Sequence, residues 1–195
     1  MNPHQRKLVC VGDGAVGKTS LLIVFARGDF PRTYTPSVLD NHVVNIEVKG
    51  EAIELALWDT SAQGEFEDRL RPLVYPGSHV VLICFSIDYP ESLDNVIERW
   101  VPEVKHFTRD IPHFLVGCKK DLRDNPDTVR VLANYGQAPV AYAQGEDIAR
   151  TIGAVYLECS ALTGEGVREL FLETTEMMDP KRANQPRRKS GCIAM

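Results

Sequence analysis

Residues 7–26 read KLVCVGDGAVGKTSLLIVFA, and the fold turns on how this stretch divides. KLVCV (Lys7 to Val11) is a short apolar run with β-branched residues, as a buried strand requires. GKTSLLIVFA (Gly17 to Ala26) carries its apolar residues at helical spacing. The segment between and across them, GDGAVGKT (Gly12 to Thr19), fits G-x-x-x-x-G-K-[ST] where a strand gives way to a helix. Glycines lacking Cβ let successive backbone N–H groups converge on one point. The helix N-terminus adds a positive dipole end and Lys18 a full charge, so the turn is built to cradle phosphate. The Thr19 hydroxyl is of the kind that ligates Mg²⁺. Gly12, Asp13, Gly14, Ala15, Val16, Gly17, Lys18, Thr19 and the adjacent Ser20 are therefore the candidate phosphate-site residues.

Working outward, runs of strand length alternate with stretches of helical period. Val44, Ile46 and Val48 alternate with polar residues, KGE (Lys49 to Glu51) makes a turn, and Ile53, Leu55 and Leu57 alternate again, a hairpin pattern. Then follow VVLICF (Val80 to Phe85), a helix carrying Leu93, Val96, Ile97 and Trp100, and the strand HFLVGC (His113 to Cys118). Ile148 and Ile152 mark a helix, VYLEC (Val155 to Cys159) a strand, and Val167, Leu170, Phe171 and Thr174 a last amphipathic helix. This alternation predicts an α/β fold with a mostly parallel sheet, one antiparallel edge and helices on both faces. Residues 123–140 interrupt the rhythm with room for an extra short helix.

VGCKKD (Val116 to Asp121) ends a strand, where open α/β sheets bind ligands. A carboxylate such as Asp121 accepts two hydrogen bonds from N1 and N2 of guanine, and adenine has no matching donor pair. The stem of Lys119 is long enough to lie over a purine face. The nucleotide expected is thus a guanine one.

The bulk numbers fit one domain of 195 residues with 44% apolar content. Five cysteines, four of them (Cys10, Cys84, Cys118, Cys159) in or beside apolar segments without metal-ligand spacing, read as reduced thiols of a cytosolic protein. The N-terminus offers no signal-peptide pattern, and Asn2 stands where myristoylation needs glycine. The five histidines show no ligand or triad spacing. The net charge of −5 is uneven: Lys181, Arg182, Arg187, Arg188 and Lys189 make the tail basic and leave the body at −10. An acidic body is not expected to bind nucleic acid. The sequence therefore divides into a body over 1–179 and a disordered basic tail over 180–195.

With these segments in order, the chain resembles the Rho family of small GTPases, within the Ras-like superfamily. The resemblance is carried by GDGAVGKTSLL, FPRTYTPSV, LALWDT, RLRPLVYP, CFSIDYPESLDNV, VGCKKDL and ECSALTGEGV. It implies a Ras-like phosphate-loop NTPase fold with a six-stranded sheet and a Rho-type insert helix within about 123–140. It implies GTP and GDP as ligands with Mg²⁺. In the first switch it places Phe30 beside the base, Tyr34 near the phosphates and Ser37, with Thr19, on Mg²⁺. The family has Thr where this chain has Ser37, and the segment reads SVLDNH instead of TVFENY. The third base-contacting motif falls on Ser160, Ala161 and Leu162, and Cys118 takes the place of a familiar Asn beside Lys119.

The second switch in such proteins reads D-T-A-G-Q-E. Here DTSAQGEF (Asp59 to Phe66) keeps Asp59, which holds a Mg²⁺-bound water, and Gln63, which orients the attacking water. The stretch is one residue longer, so two alignments are open. Either Ala62 stands at the γ-phosphate sensor, or the gap falls before Gly64 and Glu65 takes the glutamine position. The first leaves the neighbourhood of Asp59 undisturbed and is preferred. An Ala methyl at the sensor costs about 1–3 kcal/mol if the backbone there is strained. Two readings follow: a GTP-hydrolysing switch, and a GTP-held scaffold that hydrolyses poorly. A phosphate-loop kinase or ATPase is a third, opposed by the base motif. The resemblance implies effectors on Tyr34–His42 and on 59–70, with exchange factors, activating proteins and a dissociation inhibitor as regulators.

The last four residues, Cys192-Ile193-Ala194-Met195, form a C-a-a-X ending that predicts prenylation at Cys192. A prenyl chain beside PRRKSG supplies the two signals that stable anchoring on a cytoplasmic leaflet requires.

Overall fold

The computed structural model describes residues 4–31, 41–60 and 69–178. Six strands form one sheet: β1 (Gln5–Gly12), β2 (Asn41–Val48), β3 (Glu51–Asp59), β4 (Val80–Ser86), β5 (His113–Cys118) and β6 (Val155–Glu158), in the order β2-β3-β1-β4-β5-β6. Only the β2–β3 pair is antiparallel; every other neighbour is parallel. The two-residue connection Lys49-Gly50 has φ of 54° and 84°, the primed turn that matches strand twist.

Helices cover both faces. On one, α1 (Lys18–Arg27) and α6 (Val167–Met177) bury Leu21, Leu22, Leu170 and Phe171 against Leu8, Cys10, Leu82 and Phe114. Phe25 stacks on Phe171 with ring centroids 3.8 Å apart. On the other face, Val9, Val11, Val81, Ile83 and Leu115 meet Val96, Trp100, Val104 and Tyr156. Alternate residues of β1 thus serve opposite cores, which is why a strand buried on both sides reads as an unbroken apolar run.

The helix over 91–107 has three parts: α2 (Glu91–Asn95), a π turn (Val96–Trp100) and α3 (Val101–Phe107). Pro102 explains the widening. It has no N–H for Glu98, and its ring would strike that carbonyl in α geometry. Val101 accordingly donates to Val96 O, five residues back. The sequence reading named Leu93, Val96, Ile97 and Trp100 together in this helix. The structure buries the other three but leaves Ile97 47% exposed.

α4 (Pro126–Ala133) falls within 123–140, and α5 (Tyr142–Ile152) precedes β6. α4 starts on an Asn125 cap whose side chain accepts from the N–H groups of Asp127 and Thr128. Arg123 ties its approach down, donating to Val140 O at 2.9 Å and to both oxygens of Glu158. In α5, a Cβ on Gly145 would lie 2.2 Å from the Tyr156 ring, so glycine is needed for the helix to reach the sheet.

Candidate functional site

β1, β3, β4, β5 and β6 end on the same edge of the sheet, and the residues singled out in the sequence stand at those ends. At the end of β1, Gly12 has φ 142°, and a Cβ there would lie 2.1 Å from Cys84 O on β4. No side chain fits. Ala15 (φ 61°) and Gly17 (φ 109°) turn the loop into α1. Lys18, only 6% exposed, donates to the carbonyls of Gly12 (2.8 Å) and Asp13 (2.7 Å), so its ammonium bridges the loop instead of reaching bulk water. The Asp13 carboxylate receives Trp100 Nε1 at 2.7 Å and Asn95 Nδ2 at 2.6 Å.

Thr19 Oγ1 donates to Asp59 Oδ2 at 2.6 Å, which joins the start of α1 to the end of β3. Thr60 donates to Cys10 O at 2.7 Å and fixes the chain as it leaves β3. A hydroxyl and a carboxylate side by side are hard oxygen donors, one or two of which suffice for Mg²⁺ bound together with phosphate. The donor set fits the ion: Thr19 is the described residue that would hold it, with Asp59 placed beside it to hold a water on it.

Beside the loop lies a cavity of about 160 Å³ lined by Gly17, Ser20, Phe30, Cys118, Lys119, Asp121, Ala161 and Leu162, together with Leu21, Leu122 and Cys159. It brings together both candidate base-contacting segments, 116–121 and 160–162, with Phe30. Lys119 takes φ 58° between β5 and the 3₁₀ turn Lys120–Leu122, and its ammonium pairs with Asp88 at 3.2 Å. Asp121 Oδ1 accepts the Ser160 hydroxyl, so one base motif orients the carboxylate of the other. Ser160 Oγ in turn receives Thr163 N–H, and Ser160 N–H donates to Glu165 O, closing the third loop. Leu162 contributes an apolar wall, 60% exposed.

The four cysteines read separately in the sequence form a buried row across β1, β4, β5 and the end of β6. Cys10 and Cys84 bring their sulfurs to 3.3 Å, and all four are free thiols. Hydrogen bonding to neighbouring thiols, then burial, pushes Cys84 and Cys159 up from the usual thiol range. Cys84 and Cys159 are therefore packing thiols, whereas Cys118, which lines the cavity described above, is held below the usual thiol range by hydrogen bonds from Cys159 and Cys84 and by the charges of Lys18 and Lys119. Among the described residues no cluster is arranged to hold a metal through His, Cys, Asp and Glu alone.

Sequence reading missed Asp88, Asn95 and Trp100, which hold site residues from a distance in the chain, and Cys159, which shares the cavity wall. Tyr34, Ser37, Ala62, Gln63, Cys192 and the basic tail lie outside the described residues. Of the segment Tyr34–His42, only its last two residues are described, at the start of β2.

The Ras family model matches residues 7–179. The GTP-binding protein RHO1 of Candida albicans is 53% identical over 192 residues, covering 98% of this chain and 96% of that protein. GTP-binding protein rho5 of Schizosaccharomyces pombe is 54% identical over 197 residues, with 98% of each chain covered. RHO1 of Saccharomyces cerevisiae is 54% identical over 192 residues, covering 97% and 91%. With its phosphate loop, base cavity and sheet order, the chain belongs to the Rho family of small GTPases.

Proposed function

We propose that this protein is a GTP/GDP switch that hydrolyses GTP with Mg²⁺ and signals from a membrane surface. The observation that carries the reading is one continuous site. A loop whose lysine is buried on loop carbonyls adjoins the Thr19–Asp59 oxygen pair, and a cavity with Asp121 and Lys119 opens beside it.

In this reading Asp121 accepts the two guanine N–H donors, held in position by Ser160, while Lys119, Phe30, Ala161 and Leu162 enclose the ring. Loop N–H groups and Lys18 bind the β- and γ-phosphates. Thr19 and Ser37, with Asp59 through a water, would hold Mg²⁺, which would supply charge neutralisation at the phosphates. Gln63 orients the attacking water, and the chemistry is positioning and electrostatics. Loops ordered by the γ-phosphate, Tyr34–His42 and 59–70, present the effector surface and release it on hydrolysis. Exchange factors, activating proteins and a dissociation inhibitor are the regulators. Prenylated Cys192 and the basic tail hold the protein on a cytoplasmic leaflet. Among the described residues no helix is long and apolar enough to cross a membrane.

Ala62 and Ser37 favour one second reading, a GTP-held scaffold with poor hydrolysis, because both depart from the family pattern where the γ-phosphate and Mg²⁺ are sensed. Single-turnover phosphate release from GTP-loaded protein, with and without a Rho-type activating domain, separates the two. Slow release strongly accelerated by the domain is expected for the switch. Verified bound GTP with no release in either arm leaves the scaffold.

A further inference from the structure

Asp13 is the second residue of the phosphate loop, and a carboxylate there is an electrostatic liability beside a polyphosphate. Both its oxygens are taken by neutral N–H donors of the helix over 91–107, from Trp100 to Oδ1 and from Asn95 to Oδ2. The indole is fully buried and is itself gripped. The Arg71 guanidinium carbon lies 4.9 Å from its ring centroid and that of Arg99 4.7 Å. Arg71 begins the 3₁₀ turn Arg71–Val74, just beyond the second switch, and makes a two-pronged bond to Glu103 at 2.6 and 2.7 Å. Tyr75 adds its hydroxyl to the same carboxylate at 2.6 Å.

Asn95 borders the π turn and Trp100 closes it, with Pro102 two residues on. A widened turn sits where two donors, five residues apart, must meet one carboxylate. Asp13 also matters through its backbone, because its carbonyl is one of the two that hold the Lys18 ammonium. A shift of the Asp13 side chain therefore reaches the residue that meets the phosphates.

We propose that Trp100 and Asn95 are positioning residues for the phosphate loop, holding the Asp13 carboxylate so that a triphosphate is tolerated there. Arg71, fixed by Glu103, seats the indole for this task. The inference rests on the loop binding guanine nucleotides as proposed above. GTP carries more charge than GDP, so a released carboxylate penalises GTP more than GDP. Indole has one donor and no acceptor, and phenylalanine keeps the packed ring while removing that donor.

The test is the ratio of GTP to GDP affinity, from dissociation of fluorescent nucleotides in Mg²⁺ buffer. Trp100→Phe is expected to lower the ratio about tenfold, the scale of a hydrogen bond to a charged group. Adding Asp13→Asn removes the charge and is expected to restore the ratio, a coupling read as a double-mutant cycle. Asn95→Ala, which disturbs no buried ring, is expected to shift the ratio in the same direction and stands in if Trp100→Phe does not fold. An unchanged ratio with a lowered melting temperature means ordinary packing and overturns the proposal, as does failure of Asp13→Asn to rescue. A wild-type protein that binds neither nucleotide overturns the guanine-nucleotide reading itself, a result distinct from an unchanged ratio.

Discussion

Asp121 and Ser160 are 39 residues apart in the chain, yet the hydroxyl of one sets the carboxylate of the other. Ser160→Ala leaves Asp121 without this partner, and in the proposed function Asp121 presents both oxygens to the base. GTP and GDP affinity are then expected to fall together, by about tenfold, with their ratio unchanged, because the base is common to both. Asp121→Ala removes the carboxylate itself and leaves the base N–H groups unpaired. A loss of about two to four orders of magnitude is expected, since sites built on such bonds discriminate at that scale. Displacement of a fluorescent guanine nucleotide measures both, and equal losses in the two variants would contradict the division of labour. At this scale the sequence marked the residues that the structure gathers around the loop and the cavity, because phosphate and base chemistry confine the candidates to short motifs. It was silent on their supports. Trp100 and Asn95 stand 87 and 82 residues from Asp13, and no local pattern marks a tryptophan as a donor to a loop that distant.

Elements follow the same division between local and distant causes. The hairpin was legible because Lys49-Gly50 between alternating runs specifies a two-residue turn, and the buried positions of α6 follow the helical period of Val167, Leu170, Phe171 and Thr174. The π turn was not. Pro102 forces a distortion whose form depends on how the helix meets the sheet, and Ile97, named with Leu93, Val96 and Trp100 at helical spacing, is exposed where those three are buried. α4 was placed only within limits, since few of its residues face a core: Leu132 is buried, whereas Val129 and Val131 are exposed. Its stability must come from its ends. Asn125 accepts from Asp127 N–H at 3.0 Å and Thr128 N–H at 3.1 Å, and Pro126 supplies a pre-set φ at the first helical position. Asn125→Ala is expected to cost about 1 kcal/mol within this helix. Hydrogen exchange of the amides over 127–133 is expected to quicken about fivefold while that of β1 and β4 stays unchanged. Equal acceleration in the sheet would mean that this helix and the core unfold as one unit.

At the scale of the molecule, His79, His113 and Glu103 among the described residues connect folding to pH. His79 precedes β4, and its Nδ1 accepts the Lys7 N–H at 3.0 Å, a bond that only an unprotonated nitrogen can make. Burial, then the charges of Arg6 and Lys7, hold its pKa below the ordinary 6.5. His113 opens β5 and is lowered mainly by burial. The Thr108 hydroxyl donates to Val104 O at 2.6 Å, so the 3.0 Å contact with His113 Nε2 has the imidazole as donor. Both folded-state values lie under the unfolded ones, so the unfolded chain binds more protons between them. Stability is then complete above about pH 6.5 and declines as the pH falls into the interval below it. Glu103 acts at lower pH. Burial raises its pKa, but hydrogen bonds from Arg71 and Tyr75 and the charges of Arg71 and Arg99 outweigh that and hold it below the usual range. Its contribution is present above the ordinary carboxylate value and is lost as the pH drops through the folded one. A two-step loss of stability on acidification is expected, read as the urea midpoint from about pH 7.5 to about pH 2. His79→Gln offers a non-titrating oxygen to Lys7 N–H, so it is expected to shallow the first step and leave the second in place. Both steps unchanged in that variant would show that burial of this imidazole does not link folding to pH.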